Sequence, residues 1–335
     1  MSRIAIVGSG SWGTALALAL ARRGGHSIVL WSHSAAVAET IERERENLAY
    51  LPGYRISEQI AATADLASAV GDAEIVILAV PAQHLRHTFQ KMVAFLHPSQ
   101  SLVSATKGIE DASFLRMTEV ISGITVAEVP LPSLAVLSGP SFAQEVAAGF
   151  PTAVTVAAAS NRLASWLQEE LSAPGLRLYT NEDLIGVELG GALKNVIAIA
   201  AGTATGLGLG HNSVAAIVTR GIAEMTRLAV ACGGRRETLA GLSGLGDLVL
   251  TCTGPLSRNR QVGIGLGRGG KLPEILEQLG GKVAEGVRTT SATLGLALRR
   301  DVEMPITAQV AGILNRETSP QNAIRALMTR PGRDE

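Results

Sequence analysis

The residue order predicts an α/β chain in which a doubly wound parallel sheet is followed by an all-α domain. Two observations carry that prediction. Short apolar, β-branched runs alternate with helical stretches through the first half, and beyond about residue 182 helix simply follows helix. A length of 335 residues suits two domains, which the change of rhythm divides into 1–182 and 183–335.

The first run, Arg3-Ile4-Ala5-Ile6-Val7, reads as a buried parallel strand. It passes directly into Gly8-Ser9-Gly10-Ser11-Trp12-Gly13 and then into 14–21, a strong helix former. This is G-x-G-x-x-G between strand and helix, the setting in which the pattern binds a dinucleotide. Gly8 allows the tight turn, Gly10 lets a pyrophosphate approach the backbone, and Gly13 lets helix and strand pack closely. The phosphates then meet the free amides and positive end of the helix. The fold class is therefore an α/β Rossmann-type doubly wound parallel sheet with an all-α C-terminal domain.

The second strand, Ser27-Ile28-Val29-Leu30-Trp31, ends at Ser32-His33-Ser34. A site selective for NAD carries an acid there for the ribose 2′-hydroxyl. The first acid is Glu39, well into the next helix, so a 2′-phosphate can be accommodated with His33 as a hydrogen-bonding partner; a solvated loop histidine is the alternative. Further strands are expected at 74–80, 101–105, 134–137 and 152–156, and a weaker one at 177–179. Ligands of such sheets bind outside the carboxyl ends of the strands. Lys107, in Ala105-Thr106-Lys107-Gly108, and Ser141, in Ser138-Gly139-Pro140-Ser141-Phe142-Ala143, stand at two such ends. Ser141 could equally cap the following helix.

In the second half helices are expected at 213–231, 272–279, 289–299 and 308–315. Lys194 is the single cation in an otherwise apolar, helix-like run from Gly186 to Ala201, and Glu188 lies outside its i+3 and i+4 reach. Desolvation disfavours the charged form, so a proton-exchanging lysine is expected, against the bland alternative of a snorkelling side chain. Gly190 and Gly191 are expected to leave room for a flat ligand. Asp247, in the glycine-rich stretch 241–247, either orients Lys194 or caps a turn. Ser257-Arg258-Asn259 offers hydroxyl, guanidinium and amide donors suited to a phosphate, or else an arginine-capped turn. The glycine-rich turn 280–286 discloses no role by itself, and 330–335 reads as a frayed tail.

Composition narrows the function. A formal net charge of zero argues against a nucleic-acid partner held by bulk electrostatics. The apolar excess, 47% hydrophobic residues, falls in short runs, none expected to be long enough to cross a bilayer. With no cationic leader, a cytoplasmic protein is expected. Cys232 and Cys252 match no metal or redox spacing and read as buried free thiols.

Gly8-Ser9-Gly10-Ser11-Trp12-Gly13-Thr14-Ala15, Ala105-Thr106-Lys107-Gly108, Ser138-Gly139-Pro140-Ser141-Phe142-Ala143, Gly190-Gly191-Ala192-Leu193-Lys194-Asn195, Gly244-Leu245-Gly246-Asp247 and Ser257-Arg258-Asn259-Arg260 together resemble, in order and spacing, the bacterial NAD(P)-dependent sn-glycerol-3-phosphate dehydrogenases. The resemblance spans the chain, from residue 8 to residue 286. It implies reversible reduction of dihydroxyacetone phosphate to sn-glycerol 3-phosphate with NADP(H) or NAD(H) and no metal, supplying glycerophospholipid biosynthesis. It implies Lys194 as proton donor and acceptor, with Lys107, Gly139, Ser141, Asp247, Ser257, Arg258 and Asn259 around the substrate. Beside the fingerprint residues Gly8, Gly10, Ser11, Trp12 and Gly13, it assigns His33, Lys107, Ala143, Arg258, Val283 and Glu285 to the cofactor. Trp12 replaces a frequent Tyr or Phe, and Ser141 a frequent Thr, both keeping the chemistry. An extra residue around Arg22 to Gly25 blurs the alignment of His33.

The partners so implied are a small-molecule substrate, no nucleic acid and no membrane insertion, with a homodimer left open. Two other functions stay open at this point: a two-domain β-hydroxy acid dehydrogenase, which would need a carboxylate clamp, and a non-catalytic NADPH-sensing module.

Overall fold

The computed structural model describes residues 2–124, 133–280 and 283–332. Gly281, Lys282 and the tail residues 333–335 lie outside the described residues, so the frayed tail expected over 330–335 is described only as far as 332. The chain divides into two compact units: Met1–Lys107 with Arg116–Glu188, and Gly108–Leu115 with Leu189–Glu335.

The first unit is built on β1 (Arg3–Val7), β2 (Ser27–Trp31), β3 (Glu46–Asn47), β4 (Leu51–Arg55), β5 (Ile60–Thr63), β6 (Ile75–Leu78), β7 (Ser101–Ser104), β8 (Ser133–Ser138), β9 (Thr152–Ala158) and β10 (Leu176–Asn181). Eight of these form one sheet in the order β10-β9-β8-β7-β6-β1-β2-β5. Helices α1 (Ser11–Ala21), α2 (Ala35–Glu44), α3 (Leu66–Val70), α4 (Ala82–Met92), α5 (Met117–Ile124), α6 (Ala143–Ala148) and α7 (Asn161–Leu171) connect the strands. Every residue of β6 and β7 is buried, which is why these strands read as unbroken apolar or small-residue runs rather than as alternation. Ile4, Ile6, Ile77, Val103, Leu137 and Val154 share one core cluster with Leu16 and Leu20 of α1.

One pairing departs from the expected all-parallel pattern: β9 runs antiparallel to β8, and β10 then runs parallel to β9. The link between them has a length-based cause. The six residues of α6 advance only about 9 Å, whereas β8 is about 20 Å long. So short a helix does not return the chain to the start of β8, and the next strand runs back along it. Strand β5 and the β3–β4 hairpin carry no clear strand signal in the sequence. Ile60-Ala61-Ala62-Thr63 has weak strand character, and β4 contains Pro52 and Gly53, both strand breakers.

The second unit contains no strand among its described residues. Its helices are the main part of α8 (Leu184–Gly206), then α9 (Gly210–Ala231), α10 (Arg236–Leu239), α11 (Asp247–Thr253), α12 (Arg258–Gly267), α13 (Leu272–Gln278), α14 (Glu285–Arg299), α15 (Pro305–Leu314) and α16 (Pro320–Met328), with a π-helical turn at Leu242–Gly246. Facing glycines bring α8 and α12 to backbone contact. A Cβ on Gly202 would lie 2.1 Å from the Arg260 carbonyl oxygen, and one on Gly263 would lie 2.1 Å from that of Ile199. Gly206 and Gly267, four residues further along each helix, repeat the arrangement.

Segment Gly108–Leu115 is held within this unit by α14. The Phe114 ring fills the space over Gly295, the Arg299 guanidinium lies 4.6 Å from the ring centroid, and Arg299 donates to the Ser113 carbonyl at 2.8 Å. The expectation that no segment is long and apolar enough to cross a bilayer needs correcting, because α8 passes that test with 23 residues. Its glycines and two charges break the run when read residue by residue, but the helix is continuous. In the fold 83% of its apolar window is buried, as in the core helix of a globular domain.

Candidate active site

In the first unit the carboxyl end of β1 turns into α1 through the glycine fingerprint. Gly8 has φ +123°, and a Cβ there would lie 2.6 Å from the Ala79 carbonyl oxygen; one on Gly13 would lie 1.9 Å from that of Gly8. Gly10 differs: its Cβ would meet nothing within 4 Å. No side chain caps α1, so its first-turn amides border the space that a Gly10 side chain would fill. The Trp12 indole Nε1 is buried without a partner. Open space, uncapped amides and a helix N-terminus fit a dinucleotide pyrophosphate. At the end of β2, Ser32 is buried, its hydroxyl accepting from the Ser34 amide at 3.3 Å, while His33 is exposed.

Three of the expected substrate residues meet at one atom. Lys107, after β7, donates from Nζ to the Gly139 carbonyl at 2.9 Å, and the Ser141 hydroxyl donates to the same oxygen at 2.9 Å. Gly139 has φ +143°, and a Cβ there would lie 2.9 Å from Val154 Cα, so the turn requires glycine. The reading of Ser141 as a helix cap does not hold: α6 starts from Phe142 with no side-chain cap. Ala143 is the first residue of that helix.

In the second unit Lys194 is buried, at 7% exposure, in the middle of α8. Its chain neighbours are apolar, and its polar partners come from the tertiary fold: of the two readings of Asp247, the one in which it orients Lys194 holds. Its ammonium donates to Asp247 Oδ1 and, at 3.0 Å, to Thr251 Oγ1, while the Thr251 hydroxyl donates to the Asp247 carbonyl at 2.6 Å. Asp247, with no exposed surface, opens α11 directly after the π-helical turn, and Thr251 lies one turn further on the same face. That i, i+4 spacing is the signal by which Thr251 could have been found. Burial pushes the neighbouring Cys252 thiol up to about 12, against the opposing pull of Lys194 and Arg260, which leaves it an inert free thiol; Cys232 is half-buried.

The expected use of Gly190 is also corrected. A Cβ there would lie 2.5 Å from the Ser243 carbonyl oxygen, so the vacant side-chain position admits the π-helical backbone and not a ligand. Nearby, Asn259 donates from Nδ2 to Asn195 Oδ1 at 2.9 Å and accepts from the Gly286 amide at 2.9 Å, which ties α12 to α8 and α14. Ser257 is the cap of α12, accepting from the Arg260 amide at 3.2 Å. Arg258 follows it, exposed at the start of the helix. Surrounding protein lowers its guanidinium from the ordinary value, and Glu285, the first residue of α14, opposes that shift. Val283 is exposed two residues before Glu285. Among the described residues no group of three or more His, Cys, Asp or Glu side chains is placed to hold a metal ion.

A dinucleotide-type sheet followed by a helical unit with a buried, carboxylate-held lysine defines the equipment of a nicotinamide-dependent oxidoreductase. Residues 3–164 match the family model for the N-terminus of NAD-dependent glycerol-3-phosphate dehydrogenase, and residues 183–325 match the model for its C-terminus. The chain belongs to the NAD-dependent glycerol-3-phosphate dehydrogenase family. It is 62% identical to the glycerol-3-phosphate dehydrogenase (NAD(P)+) of Acidobacterium capsulatum, across 100% of both chains. It is 55% identical to that of Koribacter versatilis, across 100% of this chain and 99% of the other. The crystal structure of glycerol-3-phosphate dehydrogenase from Coxiella burnetii superposes with TM-score 0.92 at 41% identity, covering 98% of this chain and 99% of that one.

Proposed function

We infer that the chain catalyses the reversible NAD(P)H-dependent reduction of dihydroxyacetone phosphate to sn-glycerol 3-phosphate. The observation that carries the chemistry is Lys194: a buried ammonium with its position fixed by Asp247 and Thr251. The reduced nicotinamide supplies the hydride. Lys194 stabilises the oxygen as negative charge develops there and protonates it; in the reverse direction the neutral amine takes the hydroxyl proton. Asp247 fixes the direction of the ammonium, and Thr251 restricts its rotation. We assign the pyrophosphate to the turn from Gly8 to Gly13, and the remaining cofactor contacts to His33, Lys107, Ala143, Arg258, Val283 and Glu285. Lys107, Gly139, Ser141, Asp247, Ser257, Arg258 and Asn259 are assigned to the substrate; residues 1–182 are read as the dinucleotide-binding domain and 183–335 as the helical domain that carries Lys194, and each contributes residues to both ligands. The reaction is placed in the cytoplasm, where it supplies glycerophospholipid biosynthesis. Neither nucleic acid nor membrane insertion enters this reading, and a homodimer is compatible with it. The direct assay is loss of NADPH absorbance on adding dihydroxyacetone phosphate; no loss at saturating substrate would remove the assignment.

Arg258 tests the phosphate site. Its guanidinium offers a two-pronged donor to phosphate oxygens. Arg258→Ala should lower kcat/KM for dihydroxyacetone phosphate by about one to two decades, the effect of losing a charge-assisted hydrogen bond, chiefly through KM. Lysine should restore only part of it. Dihydroxyacetone without phosphate, already a poor substrate, should be almost indifferent, and equal losses on both ketones would return Arg258 to the cofactor or the fold. The dissociation constant for NADPH is measured alongside to separate those two.

Cofactor choice tests the end of β2. With Ser32-His33 in place of an acid, NADPH should be used at least as well as NADH. Ser32→Asp, which can still accept the Ser34 amide, should weaken NADPH selectively by repelling the 2′-phosphate. A clear preference of the parent enzyme for NADH in kcat/KM would contradict the assignment.

A further inference from the structure

We propose that Asn47 is a positioning residue for cofactor binding, acting through the peptide between Ser9 and Gly10. It lies on the β3–β4 hairpin, far along the chain from the fingerprint, and is 1% exposed. Its Nδ2 donates to the Ser9 carbonyl at 2.7 Å and to Thr14 Oγ1 at 2.8 Å, and its Oδ1 accepts from the Tyr50 amide at 3.2 Å. Thr14 Oγ1 donates in turn to the Ser9 carbonyl at 3.2 Å. A second tie lies beside the first, where the Ser11 hydroxyl donates to the Tyr50 carbonyl at 2.6 Å. Two donors and one acceptor are used together, a combination that an asparagine side chain provides in one short group.

The consequence follows from peptide geometry. In a trans peptide the C=O and N–H point in opposite directions. Holding the Ser9 carbonyl toward Asn47 therefore turns the Gly10 N–H away from it, and the same plane cannot rotate while both donors are engaged. The uncapped first turn of α1 and the open space beside Gly10 lie next in the chain. Asn47 thus orients an amide for an anion that it does not itself touch. This rests on the assignment of the pyrophosphate to the turn from Gly8 to Gly13.

The test measures NADPH dissociation constants for the full-length enzyme, Asn47→Ala and Thr14→Val, with adenosine 2′-monophosphate as a second probe because it lacks the pyrophosphate. Asn47→Ala should raise the NADPH dissociation constant about tenfold, as loss of a buried hydrogen-bond network does. The KM for NADPH should rise in parallel, while kcat at saturation and the KM for dihydroxyacetone phosphate stay within about twofold of the parent values. Affinity for adenosine 2′-monophosphate should not change. Thr14→Val, a milder change, should weaken NADPH in the same selective way, and the two substitutions together should cost less than the product of their separate effects. If Asn47→Ala does not fold, Thr14→Val decides. An unchanged NADPH constant, or an equal loss for both probes, overturns the proposal and leaves Asn47 a structural residue. A parent enzyme that binds adenosine 2′-monophosphate as tightly as NADPH removes the pyrophosphate assignment itself, and the proposal with it.

Discussion

Replacing Lys194 by alanine should lower kcat by roughly two or more orders of magnitude, the usual loss when a general acid–base group is removed. NADPH binding should stay near the parent value, because the glycine turn is untouched. Asp247 would lose its cation in a site with no exposed surface, so the melting temperature should fall as well; activity is therefore read well below the shifted transition. Asp247→Asn separates chemistry from charge pairing, since it keeps an acceptor for the ammonium and removes the negative charge. It should reduce kcat by less than the lysine deletion and shift the pH profile, whereas Lys194→Ala should abolish the limb of that profile that the lysine controls. Near-normal kcat in Lys194→Ala with an unaltered pH profile would mean that the lysine is a buried structural ion and takes no part in proton transfer.

Glu188→Ala should give the largest loss of stability. Its carboxylate accepts from the Thr118 amide, the Thr118 hydroxyl and Arg116 Nη1, each at 2.7 Å. Burial raises this carboxyl above its ordinary range, against the opposing pull of Arg116 and Thr118. Alanine would leave the Thr118 amide without its acceptor and the Arg116 guanidinium, 12% exposed, with Glu119 at 3.1 Å as its remaining carboxylate and the Thr118 hydroxyl at 3.0 Å. Breaking a buried pair from one side costs roughly 3–5 kcal/mol, and the remaining Glu119 contact favours the lower figure. For a folding unit of this size, that is a drop of about 10 °C in Tm. The paired replacement Glu188→Leu with Arg116→Met should recover part of it, because removing both charges leaves neither one buried alone, while the Thr118 amide still lacks its acceptor. A Tm within about 2 °C of the parent for Glu188→Ala would show that the network contributes little.

What was legible in the sequence was local. Gly8, Gly10 and Gly13 announce their turn because strand, turn and helix are contiguous, and Lys194 is conspicuous because its chain neighbours are apolar. Asp247, a lone acid in a glycine-rich stretch, already suggests Lys194 as its partner or else a turn cap, and the fold joins the two across 53 positions. Glu188 shows the limit: its partner Arg116 lies 72 positions away, and no periodicity encodes that choice. By residue type Ser257 suits a phosphate or a turn, and the fold uses its oxygen to cap α12. The direction of β9 was invisible because a buried strand has the same apolar pattern whichever way it runs. The hairpin carrying Asn47 was hidden by Pro52 and Gly53, although that hairpin braces the most recognisable motif in the chain.

The division of the chain places limits on recombination. Residues Gly108–Leu115 belong to the second unit although they lie between two stretches of the first, and α8 leaves the first unit at Glu188. A chimaera made with a single crossover near residue 183 would therefore inherit Phe114 from one parent and the Gly295–Arg299 groove that receives it from the other. A faithful exchange of the helical half needs three junctions, after Lys107, after Leu115 and after Glu188. In this architecture, gene fragments cut at the visible change of rhythm are not independent modules, and exchange between diverged relatives is restricted to pairs that agree on an eight-residue insert.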